Sequence, residues 1–201
     1  MTDNILWDAI ENRRSIYAID DKISQSTQDI KQLVDFAVMH VPSAFNNQTT
    51  RTVLLVGAEH HKLWDMTKEI LRKIVPADKF VETEEKIDIC FRAGYGTVLF
   101  FIDESVNQEW QAKFPSYAEN FPVWAHHSSG MHQFAVWTML EELGLGATLQ
   151  HYNPLIDQVV QEEWKLDKNW RLIAQMPFGR PVAAAGPKEF VPIEKRSLLF
   201  E

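Results

Sequence analysis

Stretches that repeat apolar residues every three or four positions alternate along the chain with short runs of continuous apolar residues. The first repeat puts Ile5, Leu6, Ala9 and Ile10 on one face of a helix that Thr2 or Asp3 can cap and that ends near Asn12. A second repeat, Ile30, Leu33, Val34 and Val38, follows a cap at Ser24 or Ser26 and is stopped by Pro42. Helical patterns resume from Glu59 to Ile74 and, less clearly, from Ala77 to Phe91. The longest runs from Ala125 to Leu143, where Met131, Phe134, Ala135, Thr138 and Met139 make a wide stripe that predicts a central helix. Gly144 and Gly146 end it.

Four segments read as strands: Thr52–Val56, closed by Gly57; Thr97–Ile102; Ala147–Leu149; and Arg171–Gln175. Thr97–Ile102 is apolar enough to predict burial on both faces. Acidic and polar residues follow Ile102 through Asn107, the aromatic and turn-rich Phe114–Pro122 reads as irregular, and the Ala-, Gly- and Pro-rich Phe178–Pro187 reads as a loop. Helices and strands mix without strict alternation, internal repeat or linker. The expectation is a single α+β domain over residues 1–201, a small sheet covered by helices with the long helix in the middle. The apolar Leu198-Leu199-Phe200 either packs on its own domain or reaches a partner subunit as an added strand; a packing role is expected, because chain ends are loose unless tied down.

Composition narrows the function classes. A hydrophobic content of 45% over 201 residues supports a substantial core. The net charge of −8 argues against a nucleic-acid backbone as partner. Seven Trp and twelve Phe are a rich endowment, and large aromatics often sit at subunit contacts. Cys90 is the single cysteine, so no disulfide can form within the chain, which suits a reducing compartment. Its apolar neighbours make it a buried, inert thiol rather than a nucleophile. The first residues lack a signal-peptide pattern, and no stretch approaches the roughly 20 apolar residues of a membrane span. A soluble cytoplasmic protein is expected.

Most candidate chemistry falls away on spacing. His60-His61, His126-His127 and His132 lack the i, i+4 pair and third ligand of a metal site, so no metal is expected. Ser128-Ser129-Gly130 lacks the strand-to-helix setting of a nucleophile elbow, and Gly94-Tyr95-Gly96 precedes a strand rather than following one. Glu82-Thr83-Glu84-Glu85 and Glu141-Glu142 read as solvated helix faces. Two segments remain. Arg13-Arg14-Ser15 puts two fixed cations and a hydroxyl after the first helix, suited to a phosphate. Pro42-Ser43-Ala44-Phe45-Asn46-Asn47-Gln48 offers polar contacts suited to a flat heterocycle. Taken alone, Ser43, Asn46 and Gln48 could equally serve to satisfy backbone groups after the proline.

As a set, these residues resemble the flavin-dependent nitroreductase family. Arg13-Arg14-Ser15 resembles its early Arg-x-Ser, Pro42-Ser43-x-x-Asn46-x-Gln48 its Pro-Ser-x-x-Asn-x-Gln loop, Leu143-Gly144-Leu145-Gly146-Ala147 the end of its central helix, and Pro187-Lys188-Glu189-Phe190-Val191-Pro192 its Lys-containing tail. Ser43–Gln48, Gly94–Phe101, Gln150-His151-Tyr152-Asn153-Pro154 and Gln175-Met176-Pro177-Phe178-Gly179 are similar to a short subgroup, the fatty-acid-repression-mutant-like and copper-induced bacterial nitroreductases.

The resemblance implies a nitroreductase-like α+β fold with a central, mostly antiparallel sheet. It implies a homodimer whose C-terminal extension packs on the partner, with FMN at the interface. Its implied cofactor set is Arg13, Arg14, Ser15, Tyr17, Ser43, Asn46, Gln48, Gln150, His151, Tyr152 and Lys188. Arg13, Ser15 and Lys188 would serve phosphate, ribityl or pyrimidine. Ser43, Asn46 and Gln48 would approach from the other subunit, and Gln150, His151 and Tyr152 would lie beside the ring. Phe190 stands where many members carry a second basic residue, leaving that charge missing or supplied by Arg14 or Arg180. The implied activity is an FMN-dependent NAD(P)H oxidoreductase, reducing nitroaromatics, quinones or similar flat acceptors by a ping-pong mechanism with no catalytic side chain. Aromatic residues of Phe114–Trp124 could roof its cleft. The rival readings are a flavin-binding stress or lipid-response regulator with little turnover, and an interaction module without flavin.

Overall fold

The computed structural model describes residues 5–201; the helix caps expected at Thr2 and Asp3 lie outside the described residues. In chain order the elements are α1 (Ile5–Asn12), β1 (Ile19–Asp20), α2 (Thr27–His40), β2 (Thr50–Val56), α3 (Gly57–Arg72), α4 (Ala77–Ile87), β3 (Gly96–Asp103), α5 (Glu104–Lys113), α6 (Asn120–Glu142), β4 (Gly146–Ala147), α7 (Asp157–Glu163) and β5 (Trp170–Pro181). The sheet is antiparallel, in the order β1-β5-β3-β2, with β4 paired to β5 beside β1.

Strand β3 is buried along its whole length, as its apolar run predicts. Successive side chains of a strand point to opposite faces. Val98 and Phe100 join Ile30, Val34 and Ala37 of α2 and Val136 and Leu140 of α6. Leu99 and Phe101 join Leu63, Trp64 and Leu71 of α3, Phe80 and Ile87 of α4, and Val160 of α7. Each such side chain, moved from water into the core, contributes about 1.5–3 kcal/mol. The sheet is therefore the middle of three layers. The β3–β5 register slips between Phe100 and Phe101: Phe100 faces Ala174 and Phe101 faces Leu172. The extra residue, Ile173, packs with Ile102 and Ala125 in a small third cluster.

Local chemistry explains the boundaries. Of the two caps expected for α2, Ser26 is the one used: its Oγ accepts from Asp29 N, and Asp29 Oδ2 accepts from Ser26 N, a reciprocal capping box. Helix α6 starts at Asn120, earlier than expected; Pro122 sits in its first turn, where an intrahelical N–H bond is not required. The polar run after Ile102 forms α5, because Asp103 caps it through Ser105 N at 3.1 Å. The helix expected over Ala77–Phe91 divides into α4 and a π-helical turn, Asp88–Arg92. Residues 178–181, expected in a loop, extend β5 along β1 and β4. Gly179 permits this approach, since a Cβ there would lie 2.2 Å from the Asp20 carbonyl oxygen. Gly146 belongs to β4, while the strand expected over Ala147–Leu149 continues only as an isolated bridge at Gln150.

Two apolar surfaces lack cover within the chain. Leu198, Leu199 and Phe200 are 73%, 79% and 88% exposed, so they do not pack on their own domain. Ile5, Leu6 and Ile10, which share one face of α1 as expected, are also exposed. No helix of the described residues is long and apolar enough to cross a membrane.

The π-helical turn is clamped to α3. The Arg92 side chain meets both Asp65 carboxylate oxygens, at 2.9 and 3.2 Å, and Lys68 Nζ donates to Asp88 at 2.6 Å. His60 is fully buried, with Nε2 3.2 Å from the Arg92 carbonyl, to which it donates. Its Nδ1 then accepts from the Thr97 hydroxyl at 2.9 Å, and that hydroxyl accepts from the Trp64 indole N–H at 3.0 Å. Burial pushes the His60 pKa from 6.5 down to about 4. The unfolded chain therefore takes a proton where the folded chain does not. Stability from His60 is complete above pH 6.5 and is lost as pH falls toward 4, by roughly 3 kcal/mol at 1.36 kcal/mol per pH unit. Urea denaturation across this range should show the loss, and His60→Gln should flatten it by a comparable amount. An unchanged pH dependence in the variant would contradict the assignment.

Candidate functional site

The chain leaving α1 runs beside the edge of the sheet. Ser15 forms a parallel bridge with Ala147, and Ile16 N donates to the Ala147 carbonyl at 3.0 Å. Gly146 makes room, since a Cβ there would lie 2.8 Å from the Ile16 Cβ. Arg13 is half-buried, with its guanidinium carbon 4.4 Å from the centre of the Trp137 ring on α6. Its Nε is buried without a hydrogen-bond partner. Burial, then the neighbouring charge of Arg14, lowers its pKa below the usual guanidinium value, while Glu141 acts in the opposite sense. Burial also raises the Glu141 pKa against the attraction of Arg13. Arg14 Nη2 donates to the Gly186 carbonyl at 2.7 Å, which ties the tail carrying Lys188 to this segment.

The strand edge after β4 continues the same polar row. Thr148 Oγ1 and Gln150 Nε2 are buried and unpartnered. Two positions apart on extended chain, they share a side of it. Gln150 exchanges backbone hydrogen bonds with Gln175 at 2.7 and 2.9 Å, and Tyr152 N donates to the buried Gln175 Oε1 at 2.8 Å. The Tyr152 ring meets Trp64 and Phe91 edge-on, at 5.9 and 6.2 Å, and Tyr17 lies 6.3 Å from Phe91. Burial, then Tyr17 and Cys90, pushes the Tyr152 hydroxyl up to about 12, so it remains protonated at neutral pH. Cys90 is half-buried rather than buried, and burial raises its pKa, which keeps the thiol protonated and unreactive.

The polar loop lies elsewhere. Ser43 Oγ accepts from Gln48 N at 2.9 Å, and Gln48 Nε2 reaches the Asn46 carbonyl at 3.4 Å, so part of this loop does satisfy its own backbone. Phe45, Asn46 and Gln48 have φ of 55°, 54° and 52°, in the left-handed region. Asn47 is 7% exposed and both atoms of its amide lack partners. The loop ends where Thr49 accepts from Asp103 N, at one end of β3. Ala147 pairs with Phe178, which pairs with Gly96 at the other end. Seven residues of extended strand separate these ends, about 24 Å at 3.4 Å per residue.

Within one chain, then, Arg13, Arg14, Ser15, Tyr17, Gln150 and Tyr152 lie along one sheet edge, while Ser43, Asn46 and Gln48 stand at the opposite end. His151 and Lys188 are exposed, and Lys188 Nζ lies 5.0 Å from the centre of the Phe190 ring. Arg180, one of two expected replacements for the charge absent at Phe190, is bound through Nε and Nη2 to the two carboxylate oxygens of Asp20. The expected cofactor set omits Trp137, Thr148 and Gln175, although Gln175 opens one of the subgroup-like segments. Only Gln175 left a signal, a polar residue within an apolar strand.

Residues 10–180 match the family model described as Nitroreductase family. The chain belongs to the nitroreductase family. Nitroreductase FRM2 of Saccharomyces cerevisiae is 35% identical over 185 residues, 91% of each chain. Nitroreductase CinD from Lactococcus lactis, solved in complex with chloramphenicol, is 41% identical with a TM-score of 0.89, over 97% of this chain and 99% of CinD. CinD has also been solved with 4-nitrophenol, with a TM-score of 0.88. A nitroreductase with bound FMN from Desulfitobacterium hafniense shares the fold at 14% identity, with a TM-score of 0.71 over 98% of this chain and 99% of that one. The expected family and its α+β fold with an antiparallel sheet are thus both borne out.

In this nitroreductase, the site edge depends on Gln175 holding the Tyr152 N–H. Gln175→Leu leaves that donor without its partner and should lower unfolding free energy by about 1–3 kcal/mol. Urea denaturation checks this; wild-type stability in the variant would show that the contact is dispensable.

Proposed function

We propose that this nitroreductase is an FMN-dependent oxidoreductase. In this reading it takes reducing equivalents from NADH or NADPH and delivers them to flat acceptors, nitroaromatics or quinones, in alternate half-reactions. It works as a homodimer in the cytoplasm. The observation that carries the proposal is the half-buried Arg13 guanidinium at the head of a row of unpartnered polar atoms: its own Nε, Thr148 Oγ1 and Gln150 Nε2. A buried donor or acceptor left unmatched costs about 1–3 kcal/mol. A row of them is explained by a ligand that supplies the missing partners.

The donor set fits FMN. Arg13, Arg14 and Lys188 would hold the phosphate, with Arg14 the remaining candidate for the charge absent at Phe190, since Arg180 is engaged by Asp20. Ser15 would serve the ribityl or pyrimidine portion, and Tyr17, Gln150, His151 and Tyr152 would flank the ring. When bound, FMN supplies the hydride chemistry, so no side-chain nucleophile is required. The chain's own residues position and shield. Trp137 stacks on Arg13 and keeps its guanidinium aligned. Trp64, Phe91 and Tyr152 build an apolar wall that excludes water. Tyr152, protonated at neutral pH, can donate a hydrogen bond but cannot act as a base. The CinD complexes with chloramphenicol and 4-nitrophenol support nitroaromatic acceptors.

A second copy completes the site. Ser43, Asn46 and Gln48 are too far along β3 to meet the Arg13 row of their own chain, so they approach the ring from the partner. The uncovered apolar surfaces support the pairing. Ile5, Leu6, Phe36, Phe134 and Met139 line a groove of about 540 Å³ between α1, α2 and α6. The exposed apolar tail supplies further surface for burial.

Purified protein should be yellow, or become so with FMN, and should bleach rapidly with NADH or NADPH. A colourless protein that refuses FMN overturns the reading, and bound flavin that bleaches only slowly transfers the case to a regulator. Arg13→Ala should weaken FMN binding by about 10- to 150-fold, matching the roughly 1.5–3 kcal/mol of a charge-assisted hydrogen bond. Unchanged affinity by fluorescence titration would misplace the phosphate. Sedimentation equilibrium should give a dimer; a monomer that binds FMN at full affinity would remove the shared site.

A further inference from the structure

We propose that Arg51 is a positioning residue for the flavin site of the partner subunit: its guanidinium sets the shape of the loop that carries Ser43 and Asn46 across the dimer. The inference rests on the FMN-dependent, shared-site reading above and names a group that acts over the interface without touching the cofactor.

The loop needs an external hold. Phe45, Asn46 and Gln48 have φ of 55°, 54° and 52°. The left-handed region is unfavourable for residues with a Cβ, so three non-glycine residues in one short loop are held against their preference. Such backbone persists only where its surroundings over-determine it. Three anchors do so. At the start, the Ser128 hydroxyl of α6 donates to the Pro42 carbonyl at 3.0 Å. In the middle, the Phe45 ring packs 5.2 Å from Phe114 and 5.7 Å from Phe121, centre to centre. At the end, Arg51 Nη1 donates to the Gln48 carbonyl at 2.7 Å and to the Thr50 carbonyl at 3.0 Å. Of the three anchors this one is charged, and it grips the carbonyl of the strained Gln48 itself.

Arg51 is in turn held. Its Nη2 donates to Asp103 Oδ2 at 2.9 Å, and the two side chains are only 30% and 11% exposed. An ion pair so sheltered is screened less than a surface pair. The other carboxylate oxygen of Asp103 accepts from the Ser105 N–H at 3.1 Å and from its hydroxyl at 2.6 Å, and Asp103 N donates to the Thr49 carbonyl at 2.8 Å. One guanidinium therefore locks the loop exit to the end of β3 and the start of α5. Its planar fork serves backbone carbonyls and a carboxylate at once, a geometry that an ammonium group does not reproduce. Arg51 pairs with Phe101, five residues along β3 from Gly96, the end beside Ala147 and Ser15. About 17 Å of strand at 3.4 Å per residue separates them. Arg51 thus lies beyond reach of the Arg13 row in its own chain, and its influence on a flavin passes through the loop to the partner.

Fluorescence titration of FMN tests this, with two subunits co-expressed under different tags. The Arg51→Met homodimer should bind FMN about 10-fold more weakly than wild type, the scale of one hydrogen bond to a charged group. A heterodimer of one Arg51→Met chain and one Arg13→Ala chain separates positioning from general structural damage. Its intact Arg13 row faces an intact loop, and its two altered segments face each other. It should bind one FMN per dimer at wild-type affinity and the second only weakly. Two weak sites would show that Arg51 serves its own chain, which overturns the proposal. Arg51→Lys keeps a charge beside Asp103 and carries the same test if Arg51→Met does not fold. Wild-type FMN affinity in both Arg51 homodimers also overturns the proposal and leaves the flavin reading standing. A wild type that takes up no FMN overturns that reading, and this inference with it.

Discussion

A strand without a polar face has to be covered from both sides, and β3 imposes that demand on everything around it. Val98 and Phe100 require α2 and α6 above; Leu99 and Phe101 require α3, α4 and α7 below. With both faces of the sheet occupied, a ligand cannot lie flat on it. Polar chemistry is displaced to the margins, where β5 meets β1 and β4 and where the loop before β2 turns. The two margins belong to opposite ends of the same strand. A site using both needs two chains, and the division of the polar residues follows from the burial of the core.

The margin carrying Arg13 is supported in depth. Its neighbours reach it through the sheet, with Ser15 on β4, β4 on β5, and β5 on β3. Its far wall is hung from α3 by the clamps on the π-helical turn, where His60, Asp65 and Lys68 fix the backbone that presents Phe91. π-Helical turns recur at functional sites because they re-aim side chains within a helix. Here the turn directs Phe91 between Trp64, Tyr152 and Tyr17. The polar row keeps atoms without partners, while the residues behind it are matched in hydrogen bonds and ion pairs.

Much of this was legible where local chemistry and tertiary demand coincide. Ser26 with Asp29 announces α2, and the run from Val98 to Ile102 announces a buried strand. The reading failed where tertiary context overrides local signals. Gly179 and Pro181 look like loop punctuation, yet both lie in β5, because β1 pairs there and needs the space a glycine leaves. Helix α5 has a polar surface and no apolar stripe, so its cap was the only mark in the sequence. Arg13 and Gln150 stood out as residues, but Trp137 and Gln175, which hold that site in shape, come from distant elements and could not be paired with them by spacing. Ile5 and Leu6 fall on a helix face as expected, and that face is exposed, since an apolar pattern does not say what covers it.

The close passage of Asp20 over Gly179 has a further implication for how such a protein can change. A methyl group at that point would lever the outermost ribbon away, and the stretch bearing Arg13 to Tyr17 would move with it. A residue with no functional group is thus as constrained as any that grips a ligand. Variation around this pocket has to work past a fixed pivot that takes part in no chemistry at all.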